Sequence, residues 1–339
     1  MDRRFEPTLA DVAKEAGVSL TTVSRVLNNR GYLSQATKDK VARAIKTLGY
    51  RPNQVARALH GKRTYTIGLI VPTVALPFFG EIAVAVENAL AESGYRVLIC
   101  NSLGRSDRER DYLNLLIGNR VDGIISGAHN EDLEEYQSIR MPIVTIDRSL
   151  SPRIPNVRCD NEAGGRLATE RLLAGGSRRP ALLTSRSHGL NLRERGYRIT
   201  CEAAGIEPIV FEVPFHTAPA DRPALMAQCL DGAVGMIDSV FATDDLAAAE
   251  VLEWARQRDL LVPEQLRVIG FDGTVAVRRA LPTLTTIRQP IEDMAREAVR
   301  LLLGRIDAVN SAPLEGGADI PEIGEIVEFP VEILEGSTA

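Results

Sequence analysis

The chain has 339 residues, which is room for two to three domains, and its 45% hydrophobic and 25% charged residues are those of an average globular protein. Disordered and fibrous classes are thereby excluded. The net charge of −5 hides a split, with 12 Lys and Arg against 5 Asp and Glu in residues 1–62, and 28 against 40 in residues 63–339. A basic head on an acidic body is what a polyanion-binding module shows, although a merely solvated charged arm reads the same way. The opening "MDRRFEPTLADVAKE" lacks the apolar core of a secretion signal and no apolar run approaches membrane-spanning length. The expectation is a cytoplasmic protein with no membrane partner. Cys100, Cys159, Cys201 and Cys229 are widely spaced, with no CxxC and no His at ligand spacing. They read as small buried hydrophobes, with no disulfide framework, metal or other cofactor expected.

Thr8 is a good N-cap, and Leu9, Val12, Ala13 and Ala16 repeat at helical spacing before Gly17 stops the segment. A short turn then leads into a second helix of about 21–28. Val23, Val26 and Leu27 point one way there, while Thr21, Arg25 and Asn28 point the other. Ser34 caps a third helix with Val41, Ala44, Ile45 and Leu48 as its buried stripe, and Gly49 ends it. Two short helices across a Gly-containing turn, braced by a third, make a helix-turn-helix module in residues 1–49. Short hydroxyl and amide side chains on such a helix suit phosphates, and Arg suits guanine. A small helical subdomain with a polar outer face is the alternative.

In "YRPNQVARALHGK", residues 50–62, Pro52 opens a short helix, Val55, Ala56 and Leu59 form a narrow apolar stripe, and Gly61 closes it. So short a helix is marginal in water and its apolar residues need a partner. Either it pairs with its copy in a second subunit while Leu59 wedges into a minor groove, or it is a linker packed on the body.

From residue 65 onward apolar strand-like runs alternate with helical stretches: "TIGLIVP", "RVLIC", "GIIS", "PIVTID", "PALLTS", "IVFEV", "SVFAT", "LRVIGFD", "LTTIRQ". The alternation predicts an α/β body of two doubly wound subdomains, 63–162 with 290–322 and 163–289 with 323–339. Ligands in such sheets sit beyond the carboxyl ends of strands, here in the cleft between subdomains. Asp147, Arg148, Asp160, Asp244, Asp245 and Asp272 all lie where strands end. Carboxylates alternating with Arg suit a polyhydroxyl ligand, since each accepts two hydrogen bonds from vicinal hydroxyls. Asp also serves commonly in turns and caps. A last strand is predicted in "EIVEFPVEI", and no leucine heptad follows it, so a dimer is expected rather than a tetramer.

"TLADVAKEAGVSLTTVSRVLN" followed by "GYRPNQVARAL" resembles the head and hinge of the lactose-repressor (LacI/GalR) family. The resemblance implies a periplasmic-binding-protein-like body and a homodimer on a palindromic double-stranded operator, controlled by a small molecule in the cleft. It implies base contacts from Leu20, Thr21 and Arg25, and phosphate contacts from Ser19, Thr22, Ser24, Asn28 and Tyr32. In the hinge it implies DNA contacts from Asn53, Ala56 and Leu59. Leu20 offers only apolar contact, as to a thymine methyl. In the body, "RERGY" looks like the family's Arg-x-x-Gly-aromatic ligand motif, which marks Arg193, and with it Asp272 and Gln289. Phe78 and Phe79 match its aromatic wall. Two departures stand out: Leu76-Pro77 where the family has Asn-Pro, and Asp244-Asp245 where it has Asn-Asp. The extra carboxylate disfavours an acidic effector and favours a neutral sugar. Within the family, "LNNRGYLSQATKDKV", "LICNS" and "DRSLSPRIPNV" look most like the sucrose-operon branch, whose inducers are sucrose-derived or fructose-type sugars.

The resemblance therefore implies a sugar-controlled repressor of carbohydrate genes, with an activator as the alternative sign. A transport receptor has the same body but needs a signal peptide and no head; a cytoplasmic sugar-binding protein is another reading. No Ser-His-Asp order, HExxH, GxSxG or phosphate loop appears, and His60, His129, His188 and His216 are the histidines available as bases, so no enzyme is expected.

Overall fold

The structure is a computed structural model that describes residues 7–27, 31–50, 63–128, 130, 133–311 and 324–339. It divides into two units at residues 64 and 65.

In the head, α1 (Leu9–Ala16) starts on a reciprocal cap. The Thr8 hydroxyl accepts from Asp11 N at 3.3 Å while the Asp11 carboxylate accepts from Thr8 N at 2.8 Å. Gly17, with φ of 63°, ends it in the left-handed conformation that a side chain would disfavour. Helix α2 (Leu20–Leu27) begins one residue earlier than its pattern predicts, because Ser19 caps it, accepting from Thr22 N at 3.1 Å. Helix α3 (Gln35–Leu48) runs from the Ser34 cap to Gly49. Val12, Ala13, Val23, Val41 and Ala44 form the buried centre, with Val26, Leu27, Ile45 and Leu48 packed around it. This small core joins the predicted stripes of three helices.

In the body, twelve described strands form two sheets of six. The first holds β1 (Thr66–Val71), β2 (Arg96–Asn101), β3 (Gly123–Ser126), β4 (Ile143–Ile146), β5 (Asn156–Cys159) and β11 (Ile326–Phe329), in the order β11-β5-β4-β3-β1-β2, all parallel. The second holds β6 (Pro180–Thr184), β7 (Ile209–Glu212), β8 (Ser239–Ala242), β9 (Arg267–Asp272), β10 (Thr285–Arg288) and β12 (Glu332–Leu334) in the order β12-β10-β9-β8-β6-β7, with only β12 antiparallel. Central strands such as "GIIS", "IVTI" and "SVFA" are buried along their whole length, as helices on both faces demand.

The connecting helices are α4 (Pro77–Glu92), α5 (Ser106–Gly118), α6 (Glu135–Ser138), α7 (Asn161–Ala174), α8 (Leu192–Ala203), α9 (Arg222–Leu230), α10 (Asp245–Gln257), α11 (Val275–Ala280) and α12 (Ile291–Ser311). The chain passes between subdomains at Asp160, at Gln289-Pro290 before α12, and once more near the end. That last passage corrects the expected division at 322/323, because Ile326–Phe329 pairs with β5 in the first sheet. The single predicted strand "EIVEFPVEI" is instead two, parted at Pro330, which has no N–H for a sheet ladder. The first half closes one sheet and the second half the other.

Candidate functional site

Both sheets reverse strand order between β1 and β3, and between β6 and β8. The carboxyl ends of their strands face a common cleft, the expected position for a ligand in doubly wound folds. A cavity of about 840 Å³ lies there, within the range of small-molecule sites.

Arg193 is its hub. Helices α7 and α8 pack backbone to backbone, because a Cβ at Gly165 would stand 2.2 Å from the Arg193 carbonyl and one at Gly196 would stand 2.1 Å from the Glu162 carbonyl. The glycine three residues after Arg193 is therefore what lets α8 seat its guanidinium in the cleft. Nε donates to Asn161 Oδ1 at 2.7 Å and Nη1 to the Thr243 carbonyl at 2.6 Å. Asp147 and Asp272 each stand 3.6 Å away, and the guanidinium carbon lies 3.7 Å from the Phe271 ring centroid. Burial opposes the Arg193 charge, but Asp147 and Asp272 outweigh it and hold the pKa above its ordinary value.

Asp147 with φ of 67° and Asp272 with φ of 117° sit in backbone regions that side chains disfavour. Such strain concentrates at binding sites, where surrounding contacts hold it in place. Asp272 is braced from behind by Gln289, whose Nε2 donates at 2.8 Å. Its pKa is well above the usual range, chiefly from burial and then from Asp245 and Asp244, against the pull of Arg193. Asp244 caps α10, accepting from Ala247 N at 2.8 Å, and burial raises its pKa as well. The adjacent Asp245 turns inward, accepting from Thr286 Oγ1 at 2.5 Å and Gly273 N at 2.9 Å, and burial pushes it up to about 7.

Of the residues expected at the ligand, Phe78, Phe79, Asp147, Arg148, Arg193, Asp244 and Asp272 line this cavity. The two phenylalanines are nearly buried and meet edge to face, with centroids 5.1 Å apart. Pro77 occupies the first turn of α4, so the Leu76-Pro77 departure forms an uncapped helix start. Gln289 and Asp160 are not among the lining residues. Asp160 caps α7 through Ala163 N at 2.8 Å, and its neighbour Asn161 reaches the cavity instead. Sequence reasoning passed over Asn161, Asn191, His188, His216 and Arg222, which line the cavity from loops and helix starts, and Glu250, which lines it from the second turn of α10. Asn161 lies two residues past the end of β5, and the others carried no such mark in the sequence. Among the described residues no group of three or more His, Cys, Asp or Glu is arranged for a metal ion.

The model for bacterial regulatory proteins of the lacI family matches residues 8–53, and that for a periplasmic binding protein-like domain matches residues 169–316. The sucrose operon repressor of Pediococcus pentosaceus is 45% identical over 342 residues, spanning 99% of this chain and 100% of its own. That of Streptococcus mutans is 41% identical over 302 residues, spanning 88% and 92%. The chain belongs to the lacI family. Among solved structures, the Lac repressor dimer bound to operator and an anti-inducer superposes with a TM-score of 0.79 at 26% identity, covering 98% of this chain and 99% of that one. The transcriptional regulator CelR in complex with cellobiose does so at 0.68 and 31% identity, covering 98% and 100%.

In this lacI-family regulator the head is the DNA-binding module, and α2 carries the expected recognition face. Leu20, Thr21 and Arg25 are exposed on it, Thr22 and Ser24 are half-buried, and Tyr32 projects almost fully into solvent. Ser19 Oγ also lies 2.8 Å from Thr22 Oγ1, so the two hydroxyls are already engaged at the start of the helix. Asn28, Asn53, Ala56 and Leu59 lie outside the described residues, and with them the expected hinge helix, His60 and His129. Cys100, Cys159 and Cys201 are free and buried; Cys229 is partly exposed. No described helix is long and apolar enough to cross a membrane.

Proposed function

We propose that this lacI-family regulator is a homodimeric repressor of carbohydrate-utilisation genes, holding a palindromic operator through two heads and releasing it when a neutral sugar of the sucrose or fructose type enters the cleft. The observation that carries this reading is the Arg193 hub. It joins Asp147 on the first sheet to Asp272 on the second inside one cavity, so a ligand bonded to these groups contacts both subdomains at once.

Carboxylates at Asp147, Asp244 and Asp272 accept from sugar hydroxyls, while Phe78 and Phe79 offer the edge of an apolar wall. Three further arginines on the cavity wall are already paired, Arg105 with Asp107, Arg158 with Glu328 and Arg222 with Glu250. That pairing favours a neutral guest over a sugar phosphate. The names of the relatives, sucrose operon repressor and CelR with cellobiose, support a carbohydrate effector and a binding rather than a catalytic role. For the dimer, the edge strand β2 exposes Leu98 and Ile99, and Val84 and Ile117 are exposed on the flanking helices, an apolar face suited to a second copy. The protein acts where its operator is, in the cytoplasm.

Binding energy that favours one subdomain arrangement reaches the heads as a change in their spacing. A coupling of ~1–3 kcal/mol changes operator occupancy about 5- to 150-fold. The test is a gel-shift titration on a palindromic operator with a central CG step, at fixed salt, with and without sucrose, fructose and glucose. Tight binding released by one sugar is the expected result. Binding indifferent to all three overturns the sugar reading, and no specific binding overturns the repressor.

A further inference from the structure

The groups around Arg193 serve one part of the cavity, and a second polar station lies farther along α10. Glu250 is six residues beyond Asp244, which places it about 9 Å along the helix axis from the Asp244 cap. Arg222, at the start of α9, grips it in a fork, with Nε 2.6 Å from Oε1 and Nη2 2.9 Å from Oε2. Their side chains are 19% and 28% exposed, and both residues line the same cavity of about 840 Å³. The hydrogen bonds that Arg222 donates to Glu250 keep the Arg222 pKa above its ordinary value. Among the described residues, Arg222 Nη1 has no hydrogen-bond partner, and neither has the Asp244 oxygen that does not cap α10.

Resting on the sugar-effector reading, we propose that the Arg222–Glu250 pair is a specificity element that binds the second ring of a two-unit glycoside whose first ring is held at Arg193. The pair is a mutually neutralised fork, so a neutral ring meets it without bringing a charge into the cleft. The fork holds both side chains before binding, so little side-chain ordering is left to do. A single ring at Arg193 leaves the fork hydrated and unchanged. A second ring replaces that water with hydrogen bonds to charged groups, and a site built around such bonds discriminates strongly against a guest that lacks the hydroxyls.

Calorimetry on the full chain with sucrose, cellobiose, glucose and fructose tests this. The expected result is at least about tenfold tighter binding of one disaccharide than of either monosaccharide, as one or two hydrogen bonds to charged groups produce. The double variant Arg222→Met, Glu250→Leu leaves no unpaired charge behind. It is expected to lose at least about tenfold of the disaccharide affinity while monosaccharide affinity stays within about twofold. Glu250→Gln, which keeps the shape, is expected to fall between, and operator binding by either variant reports an intact fold. Disaccharide binding unchanged in both variants overturns the proposal, as does a monosaccharide bound as tightly as any disaccharide. In both cases the sugar-effector reading stands. Binding of none of the four sugars overturns the two together.

Discussion

Glu81, in the first subdomain, accepts the backbone N–H of Val275, in the second, at 2.6 Å, with Ala276 N at 3.4 Å. It is a helix cap delivered across the cleft. Thr274 holds the N-cap position of α11 but makes no capping bond, so the carboxylate of α4 takes that role at the positive end of the helix.

Glu81→Ala removes that cap and about 1 kcal/mol from the subdomain arrangement that carries it. Sugar affinity measured by calorimetry is expected to fall about fivefold. Unchanged affinity would show that the contact does not contribute to the arrangement that binds sugar.

Arg193→Ala leaves Asp147 and Asp272 facing each other without their shared cation, and removes the stack on Phe271. Sugar binding is expected to drop at least about 100-fold, since a buried charge network loses its centre. Operator binding in a gel shift remains, but sugar no longer releases it. Arg193→Lys does not restore the response, because an ammonium cannot serve Asn161 and the Thr243 carbonyl in one plane. A normal response in either variant would remove Arg193 from the effector site.

Asp245 carries a pH signature. Its folded pKa, raised by burial to about 7, lies above the unfolded value near 3.8, so folding favours its neutral form. The stability this contributes is complete below the unfolded pKa and is lost as pH rises through the folded one. Between about pH 4 and 7 the Tm is therefore expected to fall, with Asp244 and Asp272, also raised, acting in the same direction. Asp245→Asn lowers Tm overall, since an amide cannot accept from both Thr286 and Gly273, but flattens that slope. An equally steep slope in the variant would disprove the assignment.

Thr8→Ala removes the reciprocal cap of α1. About 1 kcal/mol of head stability is expected to go with it. Operator affinity weakens as the temperature approaches 37 °C, while sugar binding by the body is untouched, because the cap belongs to the head's own small core. Parallel gel shifts and calorimetry separate the two effects.

What the amino-acid sequence determined by itself is what acts within a few residues. The caps at Thr8 and Ser34, the stops at Gly17 and Gly49, the exposed face of α2 and the run of buried strands all follow from hydrogen bonds and side-chain periodicity inside one turn or one strand. The strand ends were legible too, and Asp147, Asp244 and Asp272 could be marked there. Which of those carboxylates faces the cavity was not legible, since a helix cap and a ligand acceptor use the same side chain at the same place. Asp160 turned to its own helix, and Asn161 beside it turned to Arg193. Only the tertiary structure brought Arg193 to Asp147 and Asp272, set Glu81 on a helix 194 residues away and divided the final strand between two sheets at Pro330. These arrangements depend on how two sheets are threaded and how closely glycines let α7 and α8 approach, and long-range packing of that kind leaves no periodic mark along the chain.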